Sequence, residues 1–170
     1  YDQSENQWSA LTEAIFFVRG LKNDLKVTEI MFHPMQLSED EILMGFSNQD
    51  QFEFLEITNI GEQTVNLQGV QFNEGIDYTF GDQNLEPGSS LVLTANRDAF
   101  VARYGENNIK IAGEFKGSLS NSGETLKLSD QFGNLLQEFS YNSNWYAQSA
   151  GEGRSLVIVE DAVNNNKRIW

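Results

Sequence analysis

The order of apolar and polar residues along this chain is typical of short strands separated by turns. Its central stretch spans residues 50–69, where an apolar-rich run at 52–57 and a second short run at 65–67 flank an Asn/Gly-containing segment. Two extended runs joined in this way predict a β-hairpin. Because apolar side chains occupy both odd and even positions of the first run, it is expected inside a sandwich rather than at an edge.

A strand is also predicted over residues 25–32, which alternate in polarity and end before His33-Pro34, since proline lacks the backbone donor a ladder needs. The alternation predicts two faces, with Leu25, Val27 and Glu29 on one and Lys26, Thr28, Ile30 and Phe32 on the other. Residues 35–49 are predicted to be a loop, and loops of this length in compact domains often carry function.

The second half of the chain repeats the strand-and-turn pattern. One short helix is predicted over Asn96–Tyr104, with Asn96 as N-cap and Gly105 just beyond its end. A hairpin is predicted from 124 to 141 across the turn at 130–133, and a last strand at 154–160. Several short strands at regular spacing predict an all-β sandwich.

The two ends of the chain differ from this pattern. Residues 1–24 combine apolar residues at helical spacing with four consecutive β-formers at 15–18, so periodicity leaves both structures open, and an extended arm or linker is favoured. Residues 161–170 form a polar tail. We therefore expect one domain over 25–160, and the start at Tyr1 rather than Met suggests that the sequence belongs to a longer polypeptide.

Charge and composition restrict the classes of function. The chain has 11 Lys and Arg against 25 Asp and Glu, a net charge of −14, which disfavours binding to nucleic acid and to anionic membranes. It has no apolar run near the roughly 18–20 residues that a membrane span needs, so membrane insertion is not expected. Without cysteine it can form neither disulfides nor Cys-ligated zinc sites.

Several ordered motifs together resemble one known family, the lamin tail domain in its bacterial form. They are Thr-Glu-Ile-Met-Phe-His-Pro (28–34), Glu-Phe-Leu-Glu-Ile-Thr-Asn (53–59), Val-Asn-Leu-Gln-Gly-Val (65–70), Leu-Glu-Pro-Gly-Ser-Ser-Leu-Val-Leu (85–93), Gly-Ser-Leu-Ser-Asn-Ser-Gly-Glu (117–124), Leu-Ser-Asp-Gln-Phe-Gly (128–133) and Gly-Glu-Gly-Arg-Ser-Leu (151–156). The resemblance covers about residues 25–160, and several motifs in order are more specific than one short pattern.

The resemblance implies an immunoglobulin-like β-sandwich within a large secreted or cell-surface bacterial protein, and therefore an extracellular location. In that architecture residues 8–18 are similar to the last strand of a preceding domain. The family has no shared catalytic residues to transfer. The animal members bind proteins and in part DNA, but this chain lacks their coiled-coil rod and a basic face, so we do not carry those partners over. Partners are expected among other domains of the same polypeptide or surface proteins, and a glycan is a further candidate.

Three carboxylates inside predicted strands, Glu29, Glu53 and Glu56, are candidates for acid–base catalysis if the fold brings two of them within about 5–10 Å. The simpler interpretation is that they face solvent or accept backbone hydrogen bonds at a sheet edge. His33 is the single histidine, and a residue that ends a strand is favoured over a member of a Ser-His-Asp triad.

A calcium site is a second hypothesis. The loop acids Glu39, Asp40 and Glu41, together with Asp77 and Asp82, offer the hard oxygen ligands that Ca²⁺ prefers. Their spacing does not match an EF-hand, and a solvated charge run is the simpler interpretation. No other cofactor is expected. The Gly/Ser-rich segment 117–123 lacks the Lys and following helix of a phosphate-binding loop and is interpreted as a turn.

An aromatic cluster is the third candidate site. Tyr141, Trp145 and Tyr146 can form a platform for a sugar or peptide, although a buried Trp145 filling the sandwich core is the favoured interpretation. Two functions remain in competition: a non-catalytic interaction module, and a carboxylate- or Ca²⁺-dependent hydrolase using Glu29, Glu53 and Glu56. The module is favoured because the sequence contains no recognisable nucleophile–base pair and no transition-metal ligand set.

Overall fold

The computed structural model of the chain describes residues 24–106 and 108–157. In these ranges the helices are α1 (Glu39–Leu43) and α2 (Arg97–Tyr104), with 3₁₀ turns at Gln49–Phe52 and Ala147–Ser149. The strands are β1 (Leu25–Met31), β2 (Phe54–Asn59), β3 (Val65–Asn66), β4 (Gln71–Glu74), β5 (Ile76–Thr79), β6 (Asn84–Leu85), β7 (Ser90–Thr94), β8 (Ile111–Glu114), β9 (Lys116–Gly117), β10 (Thr125–Ser129), β11 (Leu135–Ser140) and β12 (Leu156–Val157).

The strands form two five-stranded sheets. The first has the order β12-β1-β2-β7-β8 and the second β11-β10-β4-β5-β9, while β3 and β6 form a separate pair. The paired strands are antiparallel apart from β7 and β8, which run parallel. Apolar side chains from both sheets make one continuous buried core. The predicted all-β sandwich is therefore confirmed.

A second, smaller apolar cluster covers the outer face of the first sheet. Met31, Phe54 and Val92 project from three neighbouring strands and pack beneath Phe100 of α2. The predicted helix is thus present, and Asn96 caps it by accepting a hydrogen bond from the Ala99 amide at 2.9 Å. Burial of this apolar patch, rather than helix propensity, holds an element of only two turns in place.

The predicted hairpin over residues 50–69 is wrong. β2 pairs with β1 on one side and β7 on the other, and β3 pairs with β6. Because both edges of β2 are already occupied, the following run has no free edge of β2 to join. The related prediction that this strand lies inside the sheet is confirmed, since β2 is the middle strand of five. The predicted hairpin of β10 and β11 is also confirmed.

The predicted alternation of β1 fails after Val27, where the pairing with β2 shifts register before Glu29. Such a bulge inserts one extra residue and reverses the inside–outside order. Ile30 and Phe32 consequently join Leu25 and Val27 in the core between the sheets. Glu29, predicted to share their face, instead lies on the outer face of the sheet beside its β2 partner Glu56.

The predicted loop at 35–49 contains α1, so the described residues include two α-helices rather than one. Ser38 and Glu41 form a capping box, in which the Ser38 hydroxyl accepts from the Glu41 amide and the Glu41 carboxylate accepts from the Ser38 amide. This is the Ser-x-x-Glu signature of a helix start. The predicted arm before Asp24, the end of the last predicted strand and the predicted tail at 161–170 lie outside the described residues.

Candidate functional site

Helix α1 is inverted relative to an ordinary surface helix. Its one buried residue is the acid Glu41, whereas Ile42, Leu43 and the adjoining Met44 are 59%, 84% and 65% exposed. A surface helix normally turns its apolar residues inward and its charges outward. Three consecutive large apolar side chains in solvent are the kind of feature that marks a contact surface.

The inversion is maintained by Arg103 of α2. Its Nε and Nη2 atoms donate to the two carboxylate oxygens of Glu41, each at 2.7 Å, in a bidentate pair that is mostly shielded from solvent. Its Nη1 donates to the Met35 carbonyl at 3.1 Å, and its guanidinium lies 3.6 Å above the Phe52 ring centroid. Planar, bidentate recognition combined with stacking is specific to arginine.

The charge state of this pair is well defined. Hydrogen bonding from Arg103 lowers the pKa of Glu41 to about 2, with further lowering from the Ser38 amide, so the carboxylate is ionised throughout the neutral range. Arg103 is charged at all relevant pH values. Glu41 therefore anchors α1 to α2, and its carboxylate is not available to bind a partner at the protein surface.

A fourth exposed apolar side chain lies near α1 in the fold. Met35 is 52% exposed and lies close to the turn at 151–153, where an added Cβ on Gly153 would be 2.8 Å from its sulfur. Because Arg103 binds both the Met35 backbone and Glu41, Met35 and α1 are held together. We call the set Met35, Ile42, Leu43 and Met44 the α1 apolar surface.

The surroundings of the α1 apolar surface are acidic. Glu39 and Asp40 are exposed in the first turn of α1, which has no basic residue in its last turn. The surrounding sequence is also exclusively acidic in its charged residues, since residues 34–96 contain eleven Asp and Glu but no Lys, Arg or His. The α1 apolar surface therefore has an anionic rim.

Of the three candidate catalytic carboxylates, the fold brings together only Glu29 and Glu56, which are opposite each other on β1 and β2. Glu56 accepts a hydrogen bond from the Thr28 hydroxyl at 2.5 Å, and Glu29 accepts one from the Ser155 hydroxyl. Both carboxylates are half-buried on the outer face of the sheet. These contacts are those of a structural polar cluster on a sheet surface.

Glu53 is separate from that pair and fully buried. Its Oε2 accepts a hydrogen bond from the Leu119 amide at 2.8 Å, and its Oε1 is buried without a partner among the described residues. Burial raises the pKa of Glu53 to about 8, and the nearby Asp50 and Glu124 charges add to the increase. At neutral pH this carboxyl is mainly protonated and joins β2 to the loop that contains Leu119.

The candidate calcium ligands do not come together as one set. Glu41 is bound to Arg103, whereas Glu39 and Asp40 are exposed on α1 and Asp77 and Asp82 are exposed on and after β5. Within 24–106 and 108–157, no group of three or more His, Cys, Asp and Glu side chains is placed to hold a metal. Calcium binding stays a prediction, which a shift of the melting temperature in millimolar Ca²⁺ would support.

The candidate aromatic platform is divided by the fold. Tyr141 is only 2% exposed, stacks at 4.7 Å from Phe32, and places its hydroxyl 2.8 Å from a Glu124 carboxylate oxygen. Trp145 and Tyr146 are 44% and 54% exposed. The interpretation of Trp145 as a core residue is wrong, and Tyr141 fills the core instead. The two exposed rings remain available for contact.

The remaining candidates, His33 and the Gly/Ser-rich segment, lie at a strand end and in a turn. His33 follows the end of β1, and its carbonyl oxygen accepts from the Gly151 amide at 3.1 Å, which ties the strand end to the turn at 151–153. The Gly/Ser-rich segment forms a turn closed by the Gly123 amide and the Ser120 carbonyl oxygen at 3.1 Å. Both interpretations made from the sequence are consistent with these positions.

The candidate contact surface that sequence reasoning missed is the α1 apolar surface. A signal was present, because the Ser-x-x-Glu pattern at 38–41 announces a helix and Ile-Leu-Met follows it. Apolar residues in such a position are ordinarily assigned to a core. Only the long-range contact between Glu41 and Arg103 shows that the helix is turned the other way.

The two packed sheets and their single core place the chain in the class of immunoglobulin-like β-sandwich domains. A model of one such family, the lamin tail domain, matches residues 21–143. That match covers more than half of the sequence, and the chain belongs to the lamin tail domain family. A search of curated proteins finds no match. None of the described helices is long and apolar enough to cross a membrane.

Proposed function

We propose that this lamin tail domain is a non-catalytic docking module whose contact area is the α1 apolar surface. The observation that carries the proposal is the inverted helix: Leu43 is 84% exposed while Glu41 is buried against Arg103. Exposing apolar side chains lowers solubility without stabilising the fold, so a role in binding gives this arrangement a reason. The partner is a neighbouring domain of the same polypeptide or another surface protein.

We place the module in a larger bacterial protein outside the cell, since the bacterial domains that the motifs resemble usually occur there. The acidic exterior supports this role in one respect, because a net charge of −14 keeps a domain with exposed apolar residues soluble. Expression and localisation of the full-length gene product would test the placement directly.

The hydrolase alternative has less support. Glu29 and Glu56 are neighbours, but Ser155 and Thr28 already bind them, and Glu53 lies buried at a separate site. We expect Glu29→Gln and Glu56→Gln to change stability at most. Loss of a hydrolytic activity in either variant, at an unchanged melting temperature, would contradict the non-catalytic proposal.

A second candidate partner is a glycan, favoured by the consecutive exposed rings of Trp145 and Tyr146. Aromatic faces commonly carry carbohydrate contacts because their apolar surface matches the C–H face of a sugar ring. Tryptophan fluorescence titrations with soluble oligosaccharides, comparing wild type and Trp145→Ala, test this candidate. An emission change in the wild type that Trp145→Ala abolishes is the expected result if a sugar binds there.

The main experiment is site-specific photo-crosslinking in the full-length protein in its native host. A photoreactive phenylalanine analogue replaces Leu43, and the control carries it at Phe132, a 79% exposed side chain on the β10–β11 turn. We expect residue 43 to crosslink reproducibly to one mapped peptide of a neighbouring domain or partner, and residue 132 to give no such product. Equal crosslinking at the two positions, or none at either, would contradict the proposal.

A further inference from the structure

We infer that the occupant of the α1 apolar surface is a basic amphipathic segment of the partner, in which apolar side chains alternate with Lys or Arg. This inference rests on the proposed docking function and specifies the chemistry of the partner. It follows from the juxtaposition of exposed Ile42, Leu43 and Met44 with the anionic rim of Glu39 and Asp40.

Neither Glu39 nor Asp40 forms a salt bridge with another described residue. Among the described residues, Arg103 is the base that contacts α1, and Glu41 and the Met35 carbonyl already bind its guanidinium. The adjacent turn at 151–155 adds one exposed acid and one exposed base, Glu152 and Arg154, whose charges offset each other. Glu39 and Asp40 are therefore the charges that a docking segment would meet.

The apolar part of the surface fits a short amphipathic element. Ile42, Leu43 and Met44 follow one another around the last turn of α1, so their side chains surround its exposed end rather than form one stripe. The area at this end is comparable with one or two turns of a partner helix. Methionine side chains at 35 and 44 add adaptable contacts, because their unbranched thioethers repack easily around different apolar shapes. Lys or Arg beside the apolar positions would then reach the rim with their long side chains.

Charge decides between this occupant and two others. A second copy of the chain would bring together two molecules of net charge −14, each with the same acidic rim. The chain's own residues 1–23 contain apolar side chains but three acids and two bases, and residues 158–170 contain two acids and two bases, so neither segment has a net positive charge. A basic segment satisfies both the apolar area and the rim, and we infer it on that ground.

The test uses the full 170-residue chain and three synthetic peptides of about 18 residues, long enough to form a helix. Each has Leu at i, i+3, i+4 and i+7 spacing, and the other positions are Lys in one peptide, Ser in the second and Glu in the third. Binding is measured by fluorescence anisotropy at low and high salt. We expect affinity in the order Lys, Ser, Glu, with a salt-dependent advantage for the Lys peptide.

Two double variants locate the binding on the protein. Leu43→Ser/Met44→Ser removes apolar contacts and should weaken the Lys peptide about tenfold or more. Glu39→Gln/Asp40→Gln should reduce the advantage of the Lys over the Ser peptide by about threefold to tenfold. The altered side chains are exposed, so the far-UV spectrum and melting temperature should match those of the wild type.

Matched controls alter equivalent groups elsewhere. Phe132→Ser removes another exposed apolar side chain, and Asp77→Asn/Asp82→Asn removes two other exposed acids. We expect both controls to bind the Lys peptide within about twofold of the wild type. If Asp77→Asn/Asp82→Asn weakens binding as much as Glu39→Gln/Asp40→Gln, the peptide responds only to net charge, and the inference is wrong.

The other outcomes distinguish a failure of the basic-segment inference from a failure of the proposed docking function. Equal binding of the Lys and Ser peptides, both weakened by Leu43→Ser/Met44→Ser, would overturn the basic partner while leaving the docking surface intact. A homodimer that the same variant dissociates in sedimentation experiments would make a second copy the occupant. If Leu43→Ser/Met44→Ser changes the affinity of none of the peptides, the inference is wrong. The crosslinking experiment at residue 43 then tests the docking function independently.

Discussion

At the scale of single residues, Glu53 shows how one buried group can make stability depend on pH. Its ordinary pKa of 4.5 rises to about 8 in the fold because burial penalises the charged carboxylate. A group whose folded pKa is raised contributes its full stability below the unfolded pKa and loses it as pH rises through the folded pKa. The relevant window for Glu53 is therefore pH 4.5 to 8.

We expect the free energy of unfolding of the wild type to fall by about 3–4 kcal/mol between pH 5 and pH 8 because of Glu53. Glu53→Gln keeps an oxygen that can accept from the Leu119 amide, so it should flatten this slope and stabilise the protein at pH 8. Urea denaturation across the window measures both effects. The exposed Glu62→Gln control should show the same change of unfolding free energy with pH as the wild type. If Glu53→Gln also shows that change, Glu53 is not the group responsible for it.

The cost of replacing a glycine by a larger residue also depends on its local surroundings. Gly123 has φ of +115°, and a Cβ there would lie 2.4 Å from the Tyr141 carbonyl oxygen and 2.8 Å from the Asn142 Cα. Gly133, at the tip of the β10–β11 turn, also has positive φ but has no atom within 4 Å of an added Cβ. Replacing Gly133 therefore measures the backbone strain alone, whereas replacing Gly123 adds steric overlap to it.

Gly133→Ala should cost about 1 kcal/mol from the unfavourable φ alone. Gly123→Ala should cost about 3 kcal/mol or more, because its steric conflict is with backbone atoms that cannot turn aside. Chemical denaturation of both variants tests the difference. Equal losses of stability would show that the Tyr141–Asn142 backbone moves freely.

At the scale of secondary-structure elements, α1 depends on a contact with another element. The helix is too short to be stable alone, and its anchor is the Glu41–Arg103 pair rather than an apolar face. The pKa of Glu41, lowered to about 2, means that this contribution is present above pH 4.5 and is lost as pH falls towards 2. The orientation of the α1 apolar surface is therefore linked to one ion pair.

Glu41→Gln should lower the free energy of unfolding by about 2 kcal/mol at pH 7, because the mostly buried Arg103 loses its charged partner. The difference from wild type should shrink between pH 4.5 and pH 2. Glu39→Gln on the same helical turn is exposed and should change stability by less than about 0.5 kcal/mol. Similar losses for the two variants would contradict the anchoring role of Glu41.

At the scale of the whole molecule, the negative charge sets which large partners can approach. With 25 acids against 11 bases, the summed field repels phosphate-rich surfaces, and few cations exist to release counterions from DNA. The same field favours a basic partner segment at α1. The proposed affinity for cationic peptides and the expected lack of affinity for DNA therefore rest on the same property.

We expect no measurable binding of duplex DNA at about 0.15 M salt. A fluorescence anisotropy titration with a labelled duplex measures this, with a basic DNA-binding protein as positive control. Sub-micromolar affinity would show that a local basic patch dominates the overall charge and would contradict the prediction.

The sequence by itself determined the properties that arise from neighbouring residues. The strand-and-turn pattern, the helix between Asn96 and Gly105 and the hairpin of β10 and β11 were predictable, since each depends on local periodicity, capping and turn chemistry. The same local rules identify Ser38 and Glu41 as the start of a helix. The family resemblance follows from the order of these local motifs.

Only the tertiary structure decided which strands pair and which way side chains face. β3 pairs with β6 because β1 and β7 occupy both edges of β2, and the bulge after Val27 turns Glu29 outward. The α1 apolar surface exists because an arginine 62 residues away in the chain draws Glu41 inward. Strand partners, bulges and distant ion pairs depend on competition among all segments, which no local pattern records.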